Sequence, residues 1–317
     1  MNTKMGAGRF IYEVQSDWAK LPAGWSFHEV VDVGVDFQDR VYVFSRGEHP
    51  VMVFDRHGNL LKAWGEGLFK RPHGLTLAAD NTLYLADDGA HVVQQFTLEG
   101  ELLMTLGRPG QGAAFMSGQP FNQPTKAALD PKTGEIYISD GYGNARVHKF
   151  SPNGKHLLSW GESGTDPGQF NLVHSVAIDN KGLVYVADRE NHRIQIFDER
   201  GNYLTQWNNM HRPCALHIAG QEEQLVFVGE LPSSLAVNEA YPNIGARISI
   251  YDLKGQLMAR LGDLRPGVQP HQFLSPHGLA IDSRGDIYVG EVSFSFKGRS
   301  LSPPRELPSF RKLVRIS

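Results

Sequence analysis

Cysteine is nearly missing from this chain: Cys214 is the only one in 317 residues, which excludes an intrachain disulfide. No apolar run approaches the roughly 18 residues that a membrane helix requires. The opening stretch, Met1-Asn-Thr-Lys-Met-Gly-Ala-Gly-Arg-Phe10, lacks the apolar core of a signal peptide. Charge of one sign is lacking too. With 31 Lys+Arg against 34 Asp+Glu the formal net charge is −3, which argues against a broad electrostatic footprint for nucleic acid. These absences set the expectation of a cytoplasmic protein with no membrane or nucleic-acid partner, a monomer or small homo-oligomer. Long helical periodicity is absent as well. The 41% hydrophobic share is nevertheless ample for a packed core.

What the sequence does have is turns and repeats. Glycine (34) and proline (18) punctuate it throughout. An apolar strand, a turn with Asp or Gly and a second strand ending in a carboxylate recur along the chain. The second strands read Leu83-Tyr-Leu-Ala-Asp87, Ile136-Tyr-Ile-Ser-Asp140, Val184-Tyr-Val-Ala-Asp188, Val226-Phe-Val-Gly-Glu230 and Ile287-Tyr-Val-Gly-Glu291, with a looser first copy, Val41-Tyr-Val-Phe-Ser45. Most copies add a third strand, such as Val51-Met-Val-Phe54, then a Gly turn and a fourth strand, such as Leu60-Leu-Lys-Ala-Trp64. Alternation, β-branched content and short Gly/Asn/Asp turns are hairpin signals, and four strands per unit make a propeller blade. The expected fold is therefore all-β: a six-bladed β-propeller in a single domain, 1–317. The sixth copy lacks a fourth strand, and the spare extended segment Phe10-Ile-Tyr-Glu-Val14 is expected to supply it and close the ring.

Aligning the copies on their second strands places Val31, His73, Thr125, His174, Cys214 and His277 in one column at the start of the first strand. Histidine occupies blades two, four and six, about 120° apart in a six-fold ring. That is the trigonal set a three-histidine metal site needs, with positions left open for solvent or substrate. With 13 His in the chain, about 4% per position, chance fills three specified positions less than about once in ten thousand. The alternative is three imidazoles that merely hydrogen-bond across a channel. The isolated His91, His148 and His192 read as solvated or capping residues.

Asp87, Asp140, Asp188, Glu230 and Glu291 recur at every second-strand end after blade one, so turn and inter-blade hydrogen bonding is their expected role. Blade one breaks the rule with Ser45-Arg46-Gly47-Glu48-His49. Arg46 suits a substrate carboxylate. Tyr142, in Asp140-Gly-Tyr-Gly-Asn144, falls just beyond the second strand of blade three. Beside a metal and a cation its pKa would drop and it would serve as a base; otherwise it is a rim aromatic. Glu48 and His49 are substrate-pocket candidates. Two long connections, Leu231 to Ala246 and Val292 to Phe310, read as lids or specificity elements.

The repeats resemble the NHL type, best seen from Gly168-Gln-Phe-Asn171 through Asp188-Arg-Glu-Asn-His-Arg-Ile-Gln-Ile-Phe197. More narrowly the chain resembles peptidyl-α-hydroxyglycine α-amidating lyase. The matching pieces are Ser45-Arg-Gly-Glu-His49, Pro72-His-Gly-Leu75, Gln123-Pro-Thr125, Ser139-Asp-Gly-Tyr-Gly-Asn-Ala-Arg146, Val173-His-Ser175, Ala187-Asp-Arg-Glu-Asn191 and Pro276-His-Gly278. The resemblance implies a zinc-dependent lyase that splits an N-acyl carbinolamine into an amide and glyoxylate. Its zinc ligands fall on His73, His174 and His277, its catalytic Arg on Arg46 and its Tyr on Tyr142.

The chain departs from that pattern in several places. The family's structural calcium would use the backbone carbonyls of Val33 and Leu75 plus a carboxylate after the third histidine. Gly278 stands there, which weighs against the calcium. Ser275 replaces a methionine before the final Pro-His and joins the pocket candidates. Asn122 and Gly143 stand where the family has a disulfide, which fits a reducing compartment. The resulting expectation is a small-molecule carbinolamine substrate of the ureidoglycolate type and Zn2+ or another divalent transition metal. Two other readings stay open: a metal-dependent hydratase or hydrolase acting on a small organic acid in the same channel, and a non-catalytic NHL interaction module.

Overall fold

A computed structural model describes residues 3–239 and 241–317. The chain is an all-β six-bladed β-propeller, with the strands of five sheets neighbouring one another in sequence order and those of the sixth joined by N-terminal strands. It divides into two compact units: the residues up to Glu66 together with Ala219–Ser317, and Gly67–Ile218.

The Gly67–Ile218 unit contains three blades. Blade two consists of Pro72–Leu77, Thr82–Asp87, Val92–Thr97 and Leu102–Gly107; blade three of Pro124–Leu129, Ile136–Asp140, Arg146–Phe150 and His156–Trp160. Blade four consists of Val173–Ile178, Val184–Asp188, Arg193–Phe197 and Tyr203–Trp207. In the other unit, blade one runs Val30–Val35, Val41–Ser45, Val51–Phe54 and Leu60–Trp64. Blade five has Leu225–Glu230, Arg247–Asp252 and Leu257–Leu261 after a first strand, Pro213–Ala219, that runs up to the boundary. Blade six has Pro276–Ile281, Ile287–Glu291 and Phe310–Arg315.

Its fourth strand comes from the N-terminal region, as the spare segment suggested. Phe10–Gln15 pairs antiparallel with Phe310–Arg315, Tyr12 opposite Arg315 and Gln15 opposite Lys312. A fifth strand, Lys4–Ala7, then pairs with Phe10–Gln15.

Burial explains why the repeat is readable. The second strands of blades one, three, four and six are buried at every position, so they appear as unbroken apolar runs. Fourth strands such as His156–Trp160 and Tyr203–Trp207 keep exposed residues. One polar device recurs. The Oδ1 atoms of Asp36, Asp179 and Asp282 accept backbone N–H groups of the first hairpin turn. Their Oδ2 atoms accept the buried hydroxyls of Tyr42, Tyr185 and Tyr288 at 3.2–3.3 Å. A tyrosine hydroxyl inside a packed sheet needs such a partner, because burying it unpaired would cost about 1–3 kcal/mol.

The recurring carboxylates have the expected structural role. Asp87 accepts the N–H groups of Lys70 and Arg71, Asp140 that of Asn122, Asp188 that of Asn171, and Glu291 those of Leu274 and Ser275. Each thus fixes the segment entering its own blade. Arg193, Arg247 and Arg311 neutralise Asp188, Glu230 and Glu291. Blade three uses His148 instead, and this corrects its reading as a solvated or capping residue. Its ring is fully buried between Asp140 (Nε2 to Oδ2, 3.1 Å) and Ser159 (Nδ1 to Oγ, 2.7 Å). His91 and His192 do cap, each accepting a backbone N–H, from Gln123 and Arg212.

Candidate functional site

The histidine column has a structural cause that the sequence alone does not display. In five blades the register between the first two strands slips by one residue, and the extra residue is Val31, His73, Thr125, His174 or His277. A β-bulge leaves its extra residue out of the ladder and re-aims the side chain. Each of the three histidines therefore stands out of register with its blade.

Their rings are buried, with relative exposures of 2% for His73, 2% for His174 and 8% for His277. All three are oriented in the same way. His73 Nδ1 lies 2.8 Å from the carbonyl oxygen of Thr125, His174 Nδ1 2.9 Å from that of Cys214, and His277 Nδ1 2.6 Å from that of Val31. Thr125, Cys214 and Val31 are the non-histidine members of the same column. A carbonyl oxygen only accepts, so Nδ1 carries a proton on every ring, and the neutral ring then has its lone pair on Nε2. That is the orientation in which an outer hydrogen bond prepares an imidazole for a metal. The three buried histidines can hold a metal ion, each offering one ring nitrogen.

Within the Gly67–Ile218 unit, Tyr142 is set on two of these rings. Its hydroxyl lies 3.2 Å from His73 Nε2 and 3.1 Å from His174 Nε2. The two imidazoles lie with ring centroids 4.9 Å apart. Burial pushes the Tyr142 phenol up from its ordinary pKa, against the opposing pull of the Arg189 and Arg71 guanidinium groups. Cys214 and Asp88 add to that rise. The lowering expected of a base depends on a metal ion beside the phenol, whose charge would act with the two guanidinium groups.

Arg71 and Arg189 were not singled out from the sequence. The guanidinium carbon of each lies 5.7 Å from the centroid of the Tyr142 ring. Arg189 Nε donates to Glu190 Oε1 at 2.7 Å, and Arg212 grips the same carboxylate at 2.8 and 3.0 Å. Arg71 Nη1 donates to the buried Asp88 at 2.6 Å. The available clue was position: Arg71 directly precedes Pro72-His73, and Arg189 lies within Ala187-Asp-Arg-Glu-Asn191.

In the other unit Arg46 is held rather than loose. Its Nη1 lies 2.8 Å from Glu29 Oε1, with side-chain exposures of 13% and 1%. Glu29 also accepts the Ser295 backbone N–H and hydroxyl, both at 2.6 Å. Burial alone would raise the Glu29 pKa, but Arg46 and Ser295 bring it below the usual carboxylate range. Ser295 belongs to the short helix Ser293–Phe296 in the long blade-six connection, so that connection is fastened to Arg46 through Glu29. Of the pocket candidates, Glu48 is exposed. His49 is committed elsewhere, stacked on Trp25 at 3.4 Å between centroids, with Nδ1 2.6 Å from Glu66. Ser275 is fully buried, and its hydroxyl has no hydrogen-bond partner among the described residues.

The calcium set does not fit as carried over from the resemblance. A Cβ at Gly278 would stand 2.4 Å from Asp32 Cα and 2.7 Å from its Oδ1, so no carboxylate side chain fits at 278 without displacing Asp32. Asp32 supplies a buried carboxylate instead, its Oδ1 accepting the Val33 N–H at 2.9 Å. At the family's disulfide position Gly143 donates its N–H to the Asn122 carbonyl at 3.0 Å, so the two positions are adjacent without a bond.

A family model for the NHL repeat matches residues 121–150 and 170–197, within blades three and four. Human NHL repeat-containing protein 3 is 30% identical over 325 residues, covering 95% of this chain and 87% of that protein. Peptidyl-alpha-hydroxyglycine alpha-amidating lyase 1 of Drosophila melanogaster is 30% identical over 273 residues, covering 79% of this chain and about half, 49%, of that protein. Among solved structures, selenomethionine-substituted virginiamycin B lyase from Staphylococcus aureus matches with a TM-score of 0.61 at 13% identity, covering 96% of this chain and 100% of that one. This is a likeness of fold alone. Carrying the repeat in two blades, and matched along nearly its whole length by the human protein, the chain belongs to the NHL-repeat family.

Proposed function

We propose that the protein is a metal-dependent lyase that breaks the C–N bond of a small N-acyl carbinolamine, releasing an amide and glyoxylate. The observation that carries this reading is the shared orientation of His73, His174 and His277. In each, Nδ1 is bound to a backbone carbonyl and Nε2 is left as the lone-pair donor. Three buried imidazoles suit Zn2+ or a similar divalent ion, and in the proposal they hold one ion together. When bound, such an ion would supply Lewis-acid polarisation of the carbinol oxygen. The name of the Drosophila relative supports the reaction class.

The rest is derived from the chain's own side chains. Tyr142 Oη, set beside His73 and His174, accepts the carbinol proton as the C–O bond becomes a carbonyl; it must first give up its own proton, which the charge of a bound ion together with Arg189 and Arg71 would favour. The C–N bond breaks, its electron pair passes to nitrogen, and the amide nitrogen takes up one proton, so no oxidant or water is consumed. Arg46, immobilised by Glu29, orients the substrate carboxylate, and its fixed geometry lowers the entropic cost of alignment. The test is release of glyoxylate from N-acyl α-hydroxyglycines by metal-loaded protein. Tyr142→Phe is expected to keep its metal and lose at least about 100-fold in turnover. No glyoxylate from any such substrate, with metal in place, overturns the reaction. Unchanged turnover in Tyr142→Phe reduces Tyr142 to a rim residue.

A further inference from the structure

We infer that Arg71 selects substrates bearing a second anionic group, on the acyl side of the bond that breaks. The inference rests on the lyase reading of the same site and names its substrate class: acidic N-acyl carbinolamines, with a carboxylate at each end.

The two guanidinium groups beside Tyr142 differ in depth. Arg189 is largely buried, its side chain 12% exposed and paired with Glu190, whereas the Arg71 side chain is 44% exposed. Arg71 is also unusually well fixed for an exposed arginine. Its own backbone N–H and that of Lys70 are held by Asp87, and its Nη1 by the fully buried Asp88. A guanidinium has five N–H donors, and among the described residues only Nη1 of Arg71 has a protein hydrogen-bond partner. The donors on Nε and Nη2 are therefore available to a ligand at no cost in rotamer freedom. Asp88 acts as a positioning residue. The exposed Lys70 beside it contributes a further positive charge.

The substrate's shape gives the direction. The carbinol carbon and its adjacent carboxylate are the small end and must reach the buried imidazoles and the Tyr142 hydroxyl. The acyl group is the end that extends toward solvent. Arg71 is the cation beside Tyr142 that reaches solvent, so it meets the acyl group rather than the carbinol carboxylate. A planar fork with two adjacent donors there recognises a carboxylate and offers nothing to a neutral alkyl chain.

The test compares binding of two unreactive analogues to metal-loaded protein by calorimetry: N-succinylglycine, with an acidic acyl group, and N-butyrylglycine, its neutral counterpart. The wild type is expected to bind N-succinylglycine about tenfold more tightly. Arg71→Gln should reduce the difference to about twofold or less, and Arg71→Lys should retain part of it. If Arg71→Gln does not fold, because buried Asp88 loses this cation, the double variant Arg71→Gln/Asp88→Asn removes both charges and gives the same readout. Equal affinities in the wild type, or a difference that survives Arg71→Gln, overturn the inference. Because no turnover is measured, an intact binding preference without glyoxylate release would condemn the lyase reading and leave the anion selectivity standing. Turnover without any preference would do the reverse.

Discussion

Single residues here are positioned by partners distant in sequence, and charge decides most of them. Glu190 is the clearest case. Burial alone would raise its pKa, but the hydrogen bond from Arg212 and the charges of Arg189 and Arg212 bring it from 4.5 to about 2. A carboxylate with a depressed folded-state pKa contributes stability above its unfolded value of 4.5, and that contribution fades as pH falls toward 2. Glu190→Gln is accordingly expected to be less stable than wild type at pH 7 and to lose less on acidification from pH 4.5 to 2. Denaturant titrations at several pH values check this, and parallel acid slopes for the two proteins would contradict it. The same distance explains what the sequence left hidden. Arg46 was legible because it broke a repeated carboxylate position. Glu29 was not, since Ser295, the partner that explains it, is 266 residues away. Arg71 and Arg189 were hidden because arginine beside a motif is common, and only folding brings both onto the Tyr142 ring.

At the scale of elements, the bulge sets the three histidines out of the ladder. The second strands announce themselves because burial on both faces leaves a continuous apolar run, as in Val184–Asp188. The histidine column was legible for a related reason: a repeat shows which positions are equivalent even when their residues differ. The bulge that turns those side chains out of the ladder was not legible. An extra residue in a strand leaves no compositional trace when the residue after it is as different as Asp32, Gly74, Lys126 or Ser175. Where the following residue is glycine, at Gly74 and Gly278, the position is tight. At Gly278, where an added Cβ would meet the Asp32 backbone at 2.4 Å, aspartate would also bring a second carboxylate against Asp32. Gly278→Asp should therefore cost about 2–3 kcal/mol or more in unfolding free energy. A variant as stable as wild type would show that Asp32 yields readily and that the position tolerates a carboxylate.

For the whole molecule, sequence periodicity conveyed the six-blade architecture and even the donor of the missing strand, Phe10–Gln15. It did not convey the fifth strand, Lys4–Ala7, whose short exposed sequence carries no alternation strong enough to stand out. The proposed function depends on a whole-molecule fact as well, since the three histidines are spread over 205 positions of the chain, from His73 to His277, and would act together only by binding one ion. The most direct measurement is metal stoichiometry by elemental analysis of zinc-loaded, desalted protein, for the wild type and for His73→Ala, His174→Ala and His277→Ala. About one tightly held ion per chain in the wild type, lost in each folded variant, is the expected result, because three ligands are the least such a centre needs. No bound metal in the wild type, or full occupancy in any one of the three variants, would contradict the three-histidine centre and the lyase built on it.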